Sequence, residues 1–318
     1  MKRGGMDMKL GIIGAGAVGA ATAMAVVNGG KARHMVIVNR HRERAKAMAA
    51  DMSYGAPLCP AIEIMEGDYD ALADAALLIL TAGINEQAGG ATDRSDPAGR
   101  LRLLKQNVKV FAEIVPEMVK AAPATPILVL TDPPDPLVDV ARHYAGHDHV
   151  FATSTALDSL RFKTHLGRHL SVNPASIHAD VVGEHGTSSV FLWSSARIGG
   201  EPVKELLARR KIAFDEFRTR LETEVRQANI AIIEGLGASQ YGVGIVAARM
   251  AEAVLKDEKV VWPASAYNAH YGTAISLPSV IGREGVSDVL MPDMTAEESA
   301  ALERSAETIR RAFETCTR

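Results

Sequence analysis

Three side chains of this sequence combine into a recognisable piece of chemistry. His185, within Gly183-Glu184-His185-Gly186, carries an imidazole that titrates near neutrality and can therefore give or take a proton. Asp158, in the stretch Thr155-Ala156-Leu157-Asp158-Ser159-Leu160-Arg161-Phe162, is a carboxylate able to orient such a ring and favour its protonated form. Arg161 offers a planar fork that grips a carboxylate bidentately, which Lys cannot reproduce. Each alone has an ordinary structural role: a hydrogen-bonded core histidine, a helix cap, an exposed helix arginine. Together they suit proton transfer on a small molecule held by its acid group.

A second chemical element lies near the start. Gly14-Ala15-Gly16-Ala17-Val18-Gly19 follows a predicted strand and opens a predicted helix. Gly14 allows the tight turn, Gly16 the close approach of backbone to a pyrophosphate, and Gly19 tight helix-on-strand packing. The helix N-terminus, at Ala17 and Val18, adds N–H groups and a partial positive charge for the anion. A site selective for NAD places Asp or Glu about 20 residues further on. Here the second strand ends at Val38-Asn39-Arg40, with Arg42 and Arg44 close by. One Arg–phosphate contact near a surface gives up to ~4 kcal/mol before desolvation. The carboxylate–hydroxyl bonds that are missing are each worth ~1.5–3 kcal/mol. Asn39 and Arg40 thus point to NADP(H) as the preferred cofactor, with NAD(H) the alternative.

These groups need a scaffold, and the hydrophobic pattern supplies one. Residues 9–13, 35–38, 76–81 and 127–131 read as buried strands, and Ala17–Asn28, Arg42–Ser53 and Leu101–Ala121 as helices between them. That alternation predicts an α/β fold with a Rossmann-type doubly wound parallel sheet. Beyond residue 150 the pattern changes. Ile177–Val182, Val190–Trp193 and Ala274–Val280 read as strands, and Phe214, Phe217, Leu221, Val225 and Ile232 mark one face of a long helix that Gly235 and Gly237 stop or kink. Two domains are expected: residues 1–150 for the dinucleotide and an α+β substrate domain over 151–318.

With the glycine motif, the order Thr81-Ala82-Gly83, Arg100-Leu101-Arg102-Leu103-Leu104-Lys105-Gln106-Asn107, TxLDxxRF at 155–162 and GEHG at 183–186 resembles the lactate/malate dehydrogenase family. Glu234-Gly235 to Gly242 and Ile281-Gly282-Arg283-Glu284-Gly285 extend the resemblance over roughly residues 9–290. It implies hydride transfer between NAD(P)H and a 2-oxo acid, giving an L-2-hydroxy acid, with His185 as acid and base, Asp158 orienting it, and Arg161 on the substrate carboxylate. It further implies Arg100 polarising the carbonyl, cofactor contacts at Thr81, Ala82, Gly83 and Asn107, and a homodimer or homotetramer.

The substrate stays open, because the sequence departs from the family pattern. Asp132, in Asp132-Pro133-Pro134-Asp135-Pro136, stands where the family has Asn; it is protonated or paired with Arg, or accepts from an extra substrate hydroxyl. The loop Ile84–Gly99 is long, like that of branched-chain 2-hydroxyacid dehydrogenases, and Gly89-Gly90 and Gly99 would let it close as a lid. Its specificity residue is Glu86 counted forward from Gly83, or Arg94 counted back from Arg100. Arg94 would pair a distal carboxylate, as malate requires, and Glu86 would discourage one; the reading leans slightly to malate over lactate or a bulkier monocarboxylate. Ser239 replaces a pocket-wall Thr and should widen the pocket, and Thr187 replaces an Asp after GEHG with little effect. A polyhydroxylated 2-hydroxy acid, an NAD-dependent glycosidase and a catalytically silent nucleotide-binding protein are the alternatives. The glycosidase lacks the Cys and His needed near its metal, and the silent protein would have no reason to keep Arg100, Asp158, Arg161 and His185.

Bulk properties remove other classes. The 318 residues carry 35 basic and 38 acidic side chains, a formal charge of −3, so no strong basic field awaits nucleic acid. No stretch approaches ~18 uninterrupted apolar residues, so no membrane span is expected. Cys59 and Cys316 lie far apart without metal-ligand spacing, which favours a reducing cytoplasm. His165 and His169 stand at i, i+4 but no HExxH accompanies them, and His147 and His149 flank an acidic loop residue; no metal is expected at either pair.

Overall fold

The computed structural model describes residues 8–317 apart from 86, 87 and 89–98, and for residues 99–101 the backbone alone. β1 (Lys9–Ile13), β2 (His34–Val38), β3 (Glu63–Glu66), β4 (Leu77–Leu80), β5 (Ile127–Val129) and β6 (Val150–Ala152) pair in parallel in the order β3-β2-β1-β4-β5-β6. This is the doubly wound order, in which the progression of strands across the sheet reverses between β1 and β4. Ligands bind such sheets in the crevice at the carboxyl ends of the strands flanking that point.

Both faces of the sheet are covered, as near-continuous apolar strands require. Leu10 and Ile12 of β1, Met35 and Ile37 of β2, and Leu77 and Ile79 of β4 enter one core. Their neighbours Ile13, Val36, Val38, Leu78 and Leu80 enter the other. Each such burial contributes about 1.5–3 kcal/mol. α1 (Ala17–Gly29) and α2 (Arg42–Gly55) lie on the first face, α3 (Gly99–Ala121) and α4 (Pro134–Ala145) on the second. β3, with the sequence EIME, is an edge strand that keeps partial exposure, so its charges hid it from a hydrophobic reading.

The sheet runs on past residue 150, where the domain change is expected. α5 (Ala156–Leu170) follows β6, and the predicted strand 177–182 is broken in two at Ala179-Asp180. β7 (Ile177–His178) joins β10 (Arg197–Ile198) and β11 (Glu201–Pro202), whereas β8 (Val181–Val182) pairs with β9 (Val190–Phe191). The chain changes sheets there, which one straight strand cannot do. α6 (Val203–Arg209), α7 (Phe214–Leu236) and α8 (Tyr241–Lys256) follow. α7 stops where expected, with Gly237 at φ +78°. β12 (Val260–Asn268), β13 (Thr273–Gly282) and β14 (Gly285–Val289) then extend the parallel sheet in antiparallel fashion from β6, giving nine strands among the described residues, and α9 (Ala296–Thr317) closes the chain. Phe162, Phe191, Trp193 and Phe217 form an edge-to-face aromatic core between α5 and α7. Among the described residues no single helix is long and apolar enough to cross a membrane.

Candidate active site

The glycine loop is built as its sequence demands. Gly14 has φ +119°, and a Cβ there would meet Thr81 Oγ1 at 2.6 Å and the Ala82 nitrogen at 2.7 Å. A Cβ on Gly19 would sit 2.0 Å from the Gly14 carbonyl oxygen, so only glycine lets α1 pack this close. Thr81 Oγ1 donates to that same carbonyl at 2.9 Å and ties the end of β4 to the loop. Gly16 differs: its φ is an ordinary −79° and nothing lies within 4 Å of its missing Cβ. That open space fronts the N-terminus of α1, whose cap makes no side-chain hydrogen bond and whose first turn holds no acid. A pyrophosphate fits here, with backbone N–H groups and the helix dipole facing it. Gly16, Ala17, Val18, Thr81 and Gly83 all line the cleft.

The corner at the end of β2 is partly committed to other work. Asn39 Oδ1 accepts the Ala15 N–H at 3.0 Å, and its amide donates to the His41 carbonyl at 3.0 Å. Arg44 Nε donates to the Ala15 carbonyl at 2.6 Å. Arg42, which lies near this corner in sequence, is paired on the surface with Glu66 at 2.9 Å and Asp68 at 3.2 Å. Arg40 is exposed.

At the other end of the cleft the candidate proton-transfer residues come together. Thr155 Oγ1 donates to the Val181 carbonyl at 2.6 Å, and Ser159 Oγ accepts the Val181 N–H at 2.9 Å. These bonds stitch the first turn of α5 to β8. Gly183, at φ +86°, then turns the chain where a Cβ would meet Ser305 Oγ at 2.6 Å. The turn brings His185 over α5, so that His185 Nδ1 lies 2.5 Å from Asp158 Oδ2. The other carboxylate oxygen accepts Arg161 Nη1 at 2.9 Å. Burial alone would raise the Asp158 carboxyl, but the charges of His185 and Arg161 outweigh it and hold the group below the usual carboxylate range. Arg161 and His185 line the same cleft as the glycine loop, together with Asp132 and Ser239.

Behind His185 stands a carboxylate that the sequence displayed but spacing did not single out. Asp135, 1% exposed, accepts the His185 backbone N–H at 2.7 Å and the Ser154 hydroxyl at 2.6 Å. Burial pushes its carboxyl up to about 6 in spite of both bonds. Ser154 holds φ +37°, a conformation costing a non-glycine residue about 1–3 kcal/mol. Asn107, expected at the cofactor, is fully buried instead. Its Oδ1 accepts the Ile84 N–H at 2.7 Å and its Nδ2 donates to the Asp132 carbonyl at 2.8 Å, so it fixes two cleft-forming loops rather than lining the cleft. Asn229 of α7 lines the cleft without having been foreseen, because one amide on an amphipathic helix has no distinguishing spacing. Arg100 stands in the first turn of α3. Glu86, Gly89, Gly90 and Arg94 lie outside the described residues.

Residues 8–150 match the family model of the lactate/malate dehydrogenase NAD-binding domain, and 155–318 that of the α/β C-terminal domain. An L-lactate dehydrogenase of Deinococcus radiodurans is 39% identical over 304 residues, spanning 95% of this chain and 97% of that one. One from Thermus aquaticus is 40% identical over 310 residues, with 95% and 97% covered. Among solved structures, the minor L-lactate dehydrogenase of Enterococcus mundtii superposes with a TM-score of 0.90 at 30% identity, covering 98% of each chain. A lactate dehydrogenase from a deep-sea metagenome library gives 0.90 at 27% identity, over 98% of this chain and 99% of that one. The chain belongs to the lactate/malate dehydrogenase family, NAD-dependent oxidoreductases that transfer hydride at CH–OH donors.

Proposed function

We propose that this chain interconverts a short L-2-hydroxy monocarboxylate and its 2-oxo acid, L-lactate and pyruvate being the pair that the names of its relatives favour. The observation that carries the reading is the single carboxylate of Asp158 bonded to both His185 and Arg161 on one cleft wall. Bound in the cleft, the nicotinamide supplies or accepts the hydride. Asp158 fixes the Nδ1 edge of His185, so the opposite nitrogen, Nε2, exchanges the proton with the substrate oxygen. Asp158 also stabilises the imidazolium that serves as acid in reduction. Arg161 has five N–H donors, and one bond to Asp158 sets the plane in which the rest meet the substrate carboxylate. Arg100 polarises the carbonyl, and Asp132 and Ser239 shape the pocket around the remaining substrate atoms.

The same reading takes residues 1–150 as the dinucleotide-binding domain and 151–318 as the substrate domain of a cytoplasmic homodimer or homotetramer. It takes NADP(H) as the preferred cofactor. Support comes from the uncharged Asn39 at the end of β2, the exposed Arg40, and Arg44 beside the glycine loop. A second substrate reading, malate, is favoured by Arg94 at the malate-enzyme spacing from Arg100.

One assay covers these points: oxidation of NADH and NADPH with pyruvate, oxaloacetate and branched 2-oxo acids. Turnover of pyruvate and loss of most of it in His185→Ala, with cofactor binding retained, is the expected result. Near-wild-type turnover in that variant refutes the proton-transfer role. Higher kcat/KM with oxaloacetate replaces lactate by malate, and equal or better efficiency with NADH removes the NADP preference.

A further inference from the structure

We propose that His165 and His169 of α5, with Glu224 of α7, form a binding site for a divalent transition metal of the zinc class. Sequence spacing gave the two histidines no third ligand, and the fold supplies it from the facing helix. Glu224 Oε2 lies 2.8 Å from His165 Nδ1 and 3.0 Å from His169 Nε2. Among the described residues this is the set of three His, Cys, Asp or Glu side chains whose ligand atoms converge, all within 4.8 Å of one another.

Those separations suit a tetrahedral ion. Metal–ligand bonds of about 2.0–2.1 Å at tetrahedral angles place ligand atoms about 3.3 Å apart. The two Glu224 contacts open by about 0.3–0.5 Å to reach that spacing, and the two ring nitrogens, within 4.8 Å of each other, adjust towards it by side-chain rotation. Side-chain exposures of 19% for His165, 28% for His169 and 33% for Glu224 leave the cluster reachable, so water completes the fourth position. The ring of His169 is oriented by an edge contact to Phe217, 5.6 Å between centroids. Two imidazoles and one carboxylate favour zinc, nickel or copper over calcium or magnesium, which seek more oxygen ligands. The two histidines hold the Glu224 carboxyl below its usual range, so the anionic ligand is in place at neutral pH.

The ion would clamp α5 to α7. His165 is one turn beyond Arg161 on α5, and α7 carries Asn229 on the cleft wall. The effect is therefore a stiffer base to the substrate pocket, while the proton-transfer residues stay untouched.

Tag-free protein dialysed against EDTA and then into chelator-free buffer, titrated with ZnCl2 in a calorimeter and in thermal melts, tests this. One saturable zinc per chain and a raised Tm are expected. Glu224→Gln and His169→Gln should each bind zinc at least about 100-fold more weakly, while their melting in EDTA and their turnover stay close to wild type. Two variants are used so that misfolding of one leaves the question decided by the other. Absence of saturable zinc binding overturns the site, as does zinc binding unchanged in both variants, which would put the ion on other histidines such as His147 and His149.

Discussion

Replacing Asp135 by Asn removes a buried charge while keeping both of its hydrogen bonds. The carboxylate accepts from the His185 backbone N–H and from the Ser154 hydroxyl. An Asn carbonyl can take the N–H, and its amide can donate to the Ser154 oxygen, because a hydroxyl serves as donor or acceptor. What disappears is the ionisation. Burial moves the carboxyl from 3.8 to about 6, and at about 1.4 kcal/mol per pH unit the gap is worth about 3 kcal/mol. Its sign is set by proton counting. Between 3.8 and 6 the folded chain keeps a proton that the unfolded chain has lost, so this group's contribution to stability is full below 3.8 and is lost as pH rises through 6. The amide of the Asp135→Asn variant would carry no such dependence.

Urea unfolding of both proteins across this range reads the effect directly. Their free energies of unfolding should converge at the acid end. By neutral pH the Asp135→Asn protein should be the more stable by about 3 kcal/mol at most, the gap flattening above the titration. Curves that stay parallel within about 1 kcal/mol would falsify the claim that desolvation dominates at this carboxylate. Activity supplies the second arm. Asp135→Asn keeps His185 anchored and should keep kcat within a few-fold, whereas Asp135→Ala frees the His185 N–H and should cost roughly 10- to 100-fold, the usual consequence of displacing a reacting group by about 1 Å.

The glycine loop gives a paired outcome. Gly16→Ala should leave Tm unchanged and weaken cofactor binding about tenfold or more, since its Cβ enters only the open space before α1, whereas Gly19→Ala, with a Cβ 2.0 Å from the Gly14 oxygen, should destabilise the fold by at least about 1–3 kcal/mol. Equal melting temperatures for the two would contradict this division. Arg161→Lys should lower kcat/KM for the 2-oxo acid by roughly 10- to 150-fold, the loss of one charge-assisted bond of about 1.5–3 kcal/mol, and unchanged kcat/KM would remove the fork from the substrate carboxylate. Asn39→Asp keeps the acceptor for the Ala15 N–H and repels a 2′-phosphate, so the ratio of kcat/KM for NADH over NADPH should rise at least about tenfold. An unmoved ratio places the adenosine ribose elsewhere.

The parallel sheet was legible because its strands are buried on both faces. KLGII, LLIL and ILV carry almost no polar residues, and a helix-length stretch separates each from the next. The edge strand EIME lacked that signal, and the sheet switch at Ala179-Asp180 has no signature in side-chain alternation, since it depends on which partner strand each half finds. β12 and β13 differ again. β13 is buried along most of its length and one segment of it was visible; β12 mixes Val260, Val261 and Trp262 with Pro263 and polar residues, and its pairing with β6 is set by a tertiary contact more than 100 residues away in sequence.

The site divides along the same physical line. In the proposed reading His185, Asp158 and Arg161 act through their own functional groups, so residue type and local motif mark them as candidates before any fold is known. Asp135 and Asn107 act by holding backbone: one takes the His185 N–H, the other joins Ile84 to the Asp132 carbonyl. Nothing in their sequence neighbourhoods says which loops will arrive beside them. Asn39 belongs to both groups, since the side chain that faces the cofactor corner also accepts the Ala15 N–H inside the glycine loop. On the proposed reading, cofactor choice and loop geometry are coupled at this residue. Asp preserves the acceptor for the Ala15 N–H and gives up only the donation to the His41 carbonyl, whereas Ala loses both contacts, so Asp is the cleaner probe of charge at this corner.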